Sequence, residues 1–239
     1  MLRSFEYDDQ WNIIYYPKKP SGFSIFIIGD HHHYVDHQDS FWLQHPGRAQ
    51  ILDQFLDSGY TCFSSNLYGE HWGDDQAVHL AKTIYHMIMK TEILNTNIHL
   101  FAEGKGALVA LKLMEELPGH IRSAVFLTPC LSASQCLENE KHKKVYFQPF
   151  IKSMQNTLKS DESVIQATLN KEKEPSLCVG LPLKIIHVLD HDQNEKMEWY
   201  KKIQSHNRET IAISYLLPEK RYKIAGEAIR FYKEFENVL

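Results

Sequence analysis

The chain has 239 residues, of which 43% are hydrophobic and 12% aromatic, and a formal net charge of −4 from 26 basic and 30 acidic side chains. That composition supplies one substantial core, excludes a disordered chain, and offers no basic excess for nucleic acid or an anionic membrane surface. The four cysteines include no CxxC pair, and no run approaches the ~20 apolar residues needed to cross a bilayer, so zinc-ribbon, thioredoxin and membrane-span readings fall away.

The opening residues, MLRSFEYDDQW, hold no apolar stretch of the signal-peptide kind, and a chain this large needs no disulfide staples. The expectation is therefore a cytoplasmic protein with unpaired cysteines. Leu2–Tyr7 and Trp11–Tyr16 are short aromatic or β-branched runs around Asp8 and Asp9, which predicts a hairpin. Residues 18–22 are a loop, and Phe23–Ile28 is a continuous apolar run that suits a strand buried on both faces. The segment from Asp30 to Gln44 is polar. Gly47–Gly59 then places Ile51, Leu52, Phe55 and Leu56 on one helical face and stops at glycine.

Tyr60–Ser64 reads as a strand. Asp74 and Asp75 cap a helix from Gln76 to Lys90, whose apolar stripe is Ala77, Leu80, Ala81, Ile84 and Ile88. Ile98–Phe101 is a strand, Leu108–Leu117 a helix, and Ala124–Leu127 a strand ending near Pro129. Between Leu131 and Gly180 the pattern weakens, with charged stretches at 138–144 and 171–175, and the segment reads as an excursion between strands. Regularity returns with a strand at Leu183–Val188, a helix at Glu195–Ser205, a strand at Thr210–Leu216 and a helix at Gly226–Asn237. This alternation predicts an α/β fold: a mainly parallel sheet of about eight strands with an antiparallel start and helices on both faces. No repeat or internal boundary appears, so 1–239 is read as one domain.

The informative stretch is NIHLFAEGKGALVALKL, from Asn97 to Leu113. A short apolar strand meets a small-residue turn and passes straight into an amphipathic helix. That is the setting of a nucleophile elbow, G-x-S-x-G, where small residues permit the tight turn and close packing. The five positions here are Ala102, Glu103, Gly104, Lys105 and Gly106. Upstream, Leu67 to Gly73 resembles the L-x-G-H-G-x-S loop of hydrolases with this fold, and Ile27 to His31 stands where the oxyanion-hole loop begins. Downstream, Leu183 to Asp192 is similar to the strand whose end carries the acid. The succession resembles the α/β-hydrolase superfamily over nearly the whole chain, with residues 131–180 in the cap position.

The departures bear on chemistry. The resemblance puts the nucleophile at residue 104, which is Gly104, and glycine cannot attack a carbonyl. It puts the base after the last strand, yet no histidine follows His206, and Leu217 to Tyr222 fill that place. Asp190 or Asp192 remains as a vestigial acid, beside the vestigial elbow of Glu103, Gly104 and Lys105. The expectation is a non-catalytic relative, similar to the cholinesterase-like adhesion proteins, binding an unidentified small molecule or protein through the old pocket or the cap. No cofactor, nucleic acid or membrane is expected.

The alternative is an esterase-like hydrolase with an atypical His/Asp/Glu site. His31, His32, His33 and His37 with Asp30, Asp36 and Asp39 form a ligand-rich loop at the carboxyl end of a strand, and Glu70, His71, Glu103, Asp190, His191 and Asp192 follow strands too. In an open α/β sheet these loops share one edge, where ligands bind. Asp30, His31, His71, Glu103 and Cys130 are the pocket candidates. His31, His33, His71 and Asp190 are the candidate ligands for a metal such as zinc. Glu103 or His71 is a candidate general base, and Cys130 a nucleophile only if a base lies beside it. Lys105 and its glycines fail the phosphate-loop pattern, and no G-x-G-x-x-G opens the first βα turn.

Overall fold

A computed structural model describes residues 1–69, 71–134, 136, 180–189, 197, 200, 201, 203–205 and 210–236. Strands β1 (Leu2–Tyr7) and β2 (Gln10–Tyr15) form the expected hairpin, with Asp8 and Asp9 both left-handed at φ 52° and 54°. A two-residue turn with both centres at positive φ matches the twist of the strands it joins. The chain continues through β3 (Ser24–Ile28), α1 (Phe41–Gln44), α2 (Pro46–Asp57), β4 (Thr61–Ser65), α3 (Asp75–Thr91), β5 (Ile98–Glu103) and α4 (Gly106–Glu116). It ends with β6 (Ile121–Leu127), β7 (Leu183–Val188), β8 (Ile211–Leu216), a 3₁₀ segment (Pro218–Lys223) and α5 (Ile224–Lys233).

Among the described residues the strands form one eight-stranded sheet in the order β1-β2-β4-β3-β5-β6-β7-β8. β1 pairs antiparallel with β2 and β2 with β4, and every later pair is parallel. The α/β class and the antiparallel start expected from the sequence are the ones observed.

The two faces of the sheet carry separate cores. Phe26, Ile28, Leu100 and Ala102 pack with α3 and α4 on one side. Ile25, Ile27 and Phe101 pack with α2 and α5 on the other. The period-2 alternation of side chains produces this division, and it explains why β3 and β5 are mostly apolar on both of their faces. Both strands are buried at every position.

Several boundaries differ from the reading of the sequence. The polar segment after β3 contains α1, whose Trp42 is fully buried against Phe101, with ring centroids 5.7 Å apart. Helix α4 starts at Gly106 rather than Leu108. A Cβ at Gly106 would lie 2.5 Å from the carbonyl oxygens of Ile28 and Gly29, so the glycine lets the helix begin against β3. The last helix begins two residues before Gly226, behind a 3₁₀ turn with Pro218 in its first position. The cap expected at 131–180 and the helix expected at 195–205 lie largely outside the described residues.

Candidate functional site

The parallel pairing of β3, β5, β6 and β7 brings their carboxyl ends to one edge. Asp30 and His31, then Glu103 to Lys105, then Thr128 to Cys130 follow those ends. Gly104 makes the turn between β5 and α4 with φ 54°, a left-handed conformation that glycine adopts without penalty. Its amide donates to Leu127 O at 3.1 Å, and its carbonyl accepts from the Cys130 amide at 2.8 Å, so the turn is fastened to the end of β6.

A side chain at Gly104 has nowhere to go. A Cβ there would overlap the Asp30 carboxylate, lying 2.7 Å from even its farther oxygen. Asp30 Oδ1 accepts hydrogen bonds from the backbone amides of Lys105 and His31, each at 2.9 Å, and His31 Nδ1 lies 3.7 Å from the same oxygen. Burial alone would raise the Asp30 pKa. The donors outweigh it and hold the carboxyl at about 2, so Asp30 is ionised throughout the neutral range.

His33 and His71 each bond to backbone of the loop that follows β3. His33 Nδ1 accepts the Asp30 backbone N–H at 3.0 Å, and its ring stacks on Phe41 with centroids 3.8 Å apart. Burial lowers its pKa to about 4, as it does that of His71, which hydrogen-bonds the Gly29 backbone. Both imidazoles are therefore neutral at pH 7 and brace the β3 loop from inside. The candidate metal set of His31, His33, His71 and Asp190 includes one residue, Asp190, that is not described. Among the described residues no group of three or more histidine, cysteine or acidic side chains could hold a metal ion, and Asp190 lies outside them.

Glu103, the residue before the turn, is 7% exposed and carries the opposing charge of Arg48, a residue that the sequence did not single out. Arg48 Nε donates to Glu103 Oε2 at 2.8 Å, and its Nη2 donates to Oε1, giving a two-pronged pair. Burial raises the Glu103 pKa while Arg48 pulls it down, and Arg221 adds a smaller effect in the same sense as Arg48. These residues border a cavity of about 490 Å³, whose apolar wall includes Ile51, Leu127, Val188 and Ile224. Thr128, also on the wall, is left-handed at φ 44°, a conformation rare for a β-branched residue. Lys105 lends its amide to Asp30 while its ammonium lies 3.6 Å above the Trp72 ring.

Cys130 is disulfide-bonded to Cys136, which corrects the expectation of unpaired cysteines and removes Cys130 as a free nucleophile. A disulfide belongs to oxidising compartments or to redox-active pairs, so the cytoplasmic expectation gains nothing from it. No helix among the described residues is long and apolar enough to cross a membrane. Asp190, His191, Asp192 and Glu70 lie outside the described residues.

A serine–histidine–carboxylate line exists in the core, where Ser123 Oγ and His99 Nδ1 are 2.8 Å apart and His99 Nε2 is 3.4 Å from Glu236 Oε1. His99 and Ser123 are both fully buried, near the amino ends of β5 and β6, so substrate cannot reach them and the line is structural.

No protein-family model and no curated protein sequence matches the chain. Solved structures do. Est1E from Butyrivibrio proteoclasticus superposes with a TM-score of 0.62 at 12% identity, over 98% of this chain and 99% of its own. An S-formylglutathione hydrolase from Agrobacterium tumefaciens gives 0.63 at 9% identity, over 98% and 94%. An esterase/lipase from an uncultured bacterium gives 0.66 at 12%, over 98% and 85%. These neighbours, esterases and hydrolases by name, overturn the expectation of a non-catalytic protein. With the eight-stranded sheet and its strand order, they establish that this chain has the α/β-hydrolase fold.

Proposed function

We propose that this protein is an esterase-like hydrolase that works through the Asp30–His31 edge instead of a serine nucleophile at the elbow. The observation that carries this reading is the convergence of the Lys105 and His31 amides on one oxygen, each at 2.9 Å. In this fold the amide after the elbow apex and an amide from the loop after the neighbouring strand supply an oxyanion hole. Donors fixed in this way stabilise the charge that develops on a carbonyl oxygen, and they need no reorganisation during the reaction.

A substrate carbonyl oxygen takes the place of Asp30 Oδ1 between the two amides. Asp30 then loses the donors that keep its pKa near 2 and becomes a stronger base beside His31. Water adds to the polarised carbonyl as Asp30 accepts its proton. The bond to the alcohol oxygen then breaks, and that proton passes to the leaving group, so ester and water give acid and alcohol. Glu103 and Arg48 neutralise one another beneath the turn and fix its floor.

The test is turnover of 4-nitrophenyl acetate by the purified protein and by Asp30→Asn. The amide keeps the shape and an acceptor oxygen but cannot take the proton, so the rate should fall by about 100-fold or more. Equal rates for the two proteins, or no turnover above a heat-killed control, would refute the proposal. Loss of turnover with EDTA would move the chemistry to a bound metal.

A further inference from the structure

We infer that the cavity beside the elbow recognises a carboxylate on the substrate through Arg221, so that the preferred esters are anionic ones such as half-esters of short dicarboxylic acids. This rests on the hydrolase reading. Glu103 directly precedes Gly104 in the chain and lines the cavity, so the space opens next to the elbow turn. At about 490 Å³ it has the size of a small-molecule site.

Among the described residues its lining is not balanced in charge. Glu103 is occupied by the two hydrogen bonds from Arg48. Arg221 lines the same cavity from the 3₁₀ segment, and no carboxylate among the described residues is within salt-bridge distance of it. Two guanidinium groups against one carboxylate leave one formal positive charge, with His45 on the wall taken as neutral. The chain as a whole carries −4, so this is a local reversal of sign. A concave site with low-dielectric walls concentrates such a field and draws in anions.

The shape of the lining narrows the ligand further. Ile51, Leu127, Val188 and Ile224 form an apolar wall that suits a short methylene chain. A guanidinium with no carboxylate partner among the described residues presents a planar fork that matches a carboxylate in two-pronged fashion. Lys220 lies on the same segment, 5.8 Å from the ring centroid of Tyr222, which lines the cavity. By the resemblance to the α/β-hydrolases, Leu217 to Tyr222 occupy the place of the missing triad histidine. On this inference that segment reads the substrate instead.

The experiment compares monomethyl succinate with methyl pentanoate, its neutral counterpart, by alkali uptake at constant pH. The parent should prefer the succinate ester in kcat/KM, and Arg221→Gln should shrink that preference tenfold or more. Arg221→Lys, which keeps the charge but not the fork, should fall between them. A preference that is unchanged in Arg221→Gln would overturn the inference. If neither ester is cleaved, the hydrolase reading fails and thermal unfolding with added succinate decides the site separately. A rise in Tm that is lost in Arg221→Gln would support the anion site, and no rise in the parent would overturn it.

Discussion

Replacing Gly104 with alanine tests whether the Asp30 carboxylate owns the space at the elbow. Two costs arise. A Cβ at φ 54° is left-handed, which costs about 1–2 kcal/mol. The same Cβ overlaps the carboxylate, so Asp30 must leave the Lys105 and His31 amides. Hydrogen bonds to an ionised group contribute about 1.5–3 kcal/mol each, so losing the pair costs roughly 3–6 kcal/mol. Gly104→Ala alone should therefore destabilise by roughly 4–8 kcal/mol. Asp30→Ala forfeits the same pair of hydrogen bonds, after which the added methyl meets open space. In that background Gly104→Ala should cost only the left-handed term, about 1–2 kcal/mol. The two substitutions are thus coupled by about 3 kcal/mol or more, which urea unfolding of the four proteins in the cycle measures. Additivity to within about 0.5 kcal/mol would mean that Asp30 moves aside freely, and the reasoning would fail.

For the same reason Gly104→Ser should lower ester turnover rather than raise it, because the serine must displace the proposed base; a gain in kcat with 4-nitrophenyl acetate would count against the site. His33 and His71 have folded pKa values of about 4 against an unfolded value near 6.5, so the unfolded chain takes up protons first as pH falls. Their stabilising effect is fully present above pH 6.5 and is lost between pH 6.5 and 4, by roughly 3 kcal/mol per histidine. Urea midpoints across that range should fall accordingly, and a flat profile would show that neither imidazole is held neutral by burial. Ser123→Ala should destabilise by about 1–3 kcal/mol, because it leaves His99 Nδ1 buried without a partner, while ester turnover stays at the parental level. A turnover defect there would make the core line catalytic after all.

Much of the frame was legible in the sequence. Continuous apolar runs such as Phe23–Ile28, separated by stripes of helical period, indicate strands covered on both faces, and the helices must then lie on both sides. The glycine-rich junction after Asn97 to Glu103 marked the sharp turn, because few other residues permit one. The segments where the reading slipped are those where long-range packing set the boundary. α1 forms in a polar stretch because Trp42 fills the core, and α4 starts early because Gly106 abuts the end of β3.

The candidate site divides along the same line. The sequence alone supplied Asp30, His31, Glu103 and Gly104 as residues following strand ends, since that much depends only on local pattern. What each one does was decided by register. Ile28 pairs with Ala102, so two residues further on Asp30 comes level with Gly104. That pairing brings Asp30 to an amide 75 positions away and lets its carboxylate stand where an elbow side chain would. Arg48 reaches Glu103 from 55 positions away through the packing of α2 on the sheet, which no local pattern encodes. Periodicity is a property of neighbours in the chain, whereas the meeting of carboxylate, amide and guanidinium is set by strand order and pairing, and these exist only once the sheet has formed.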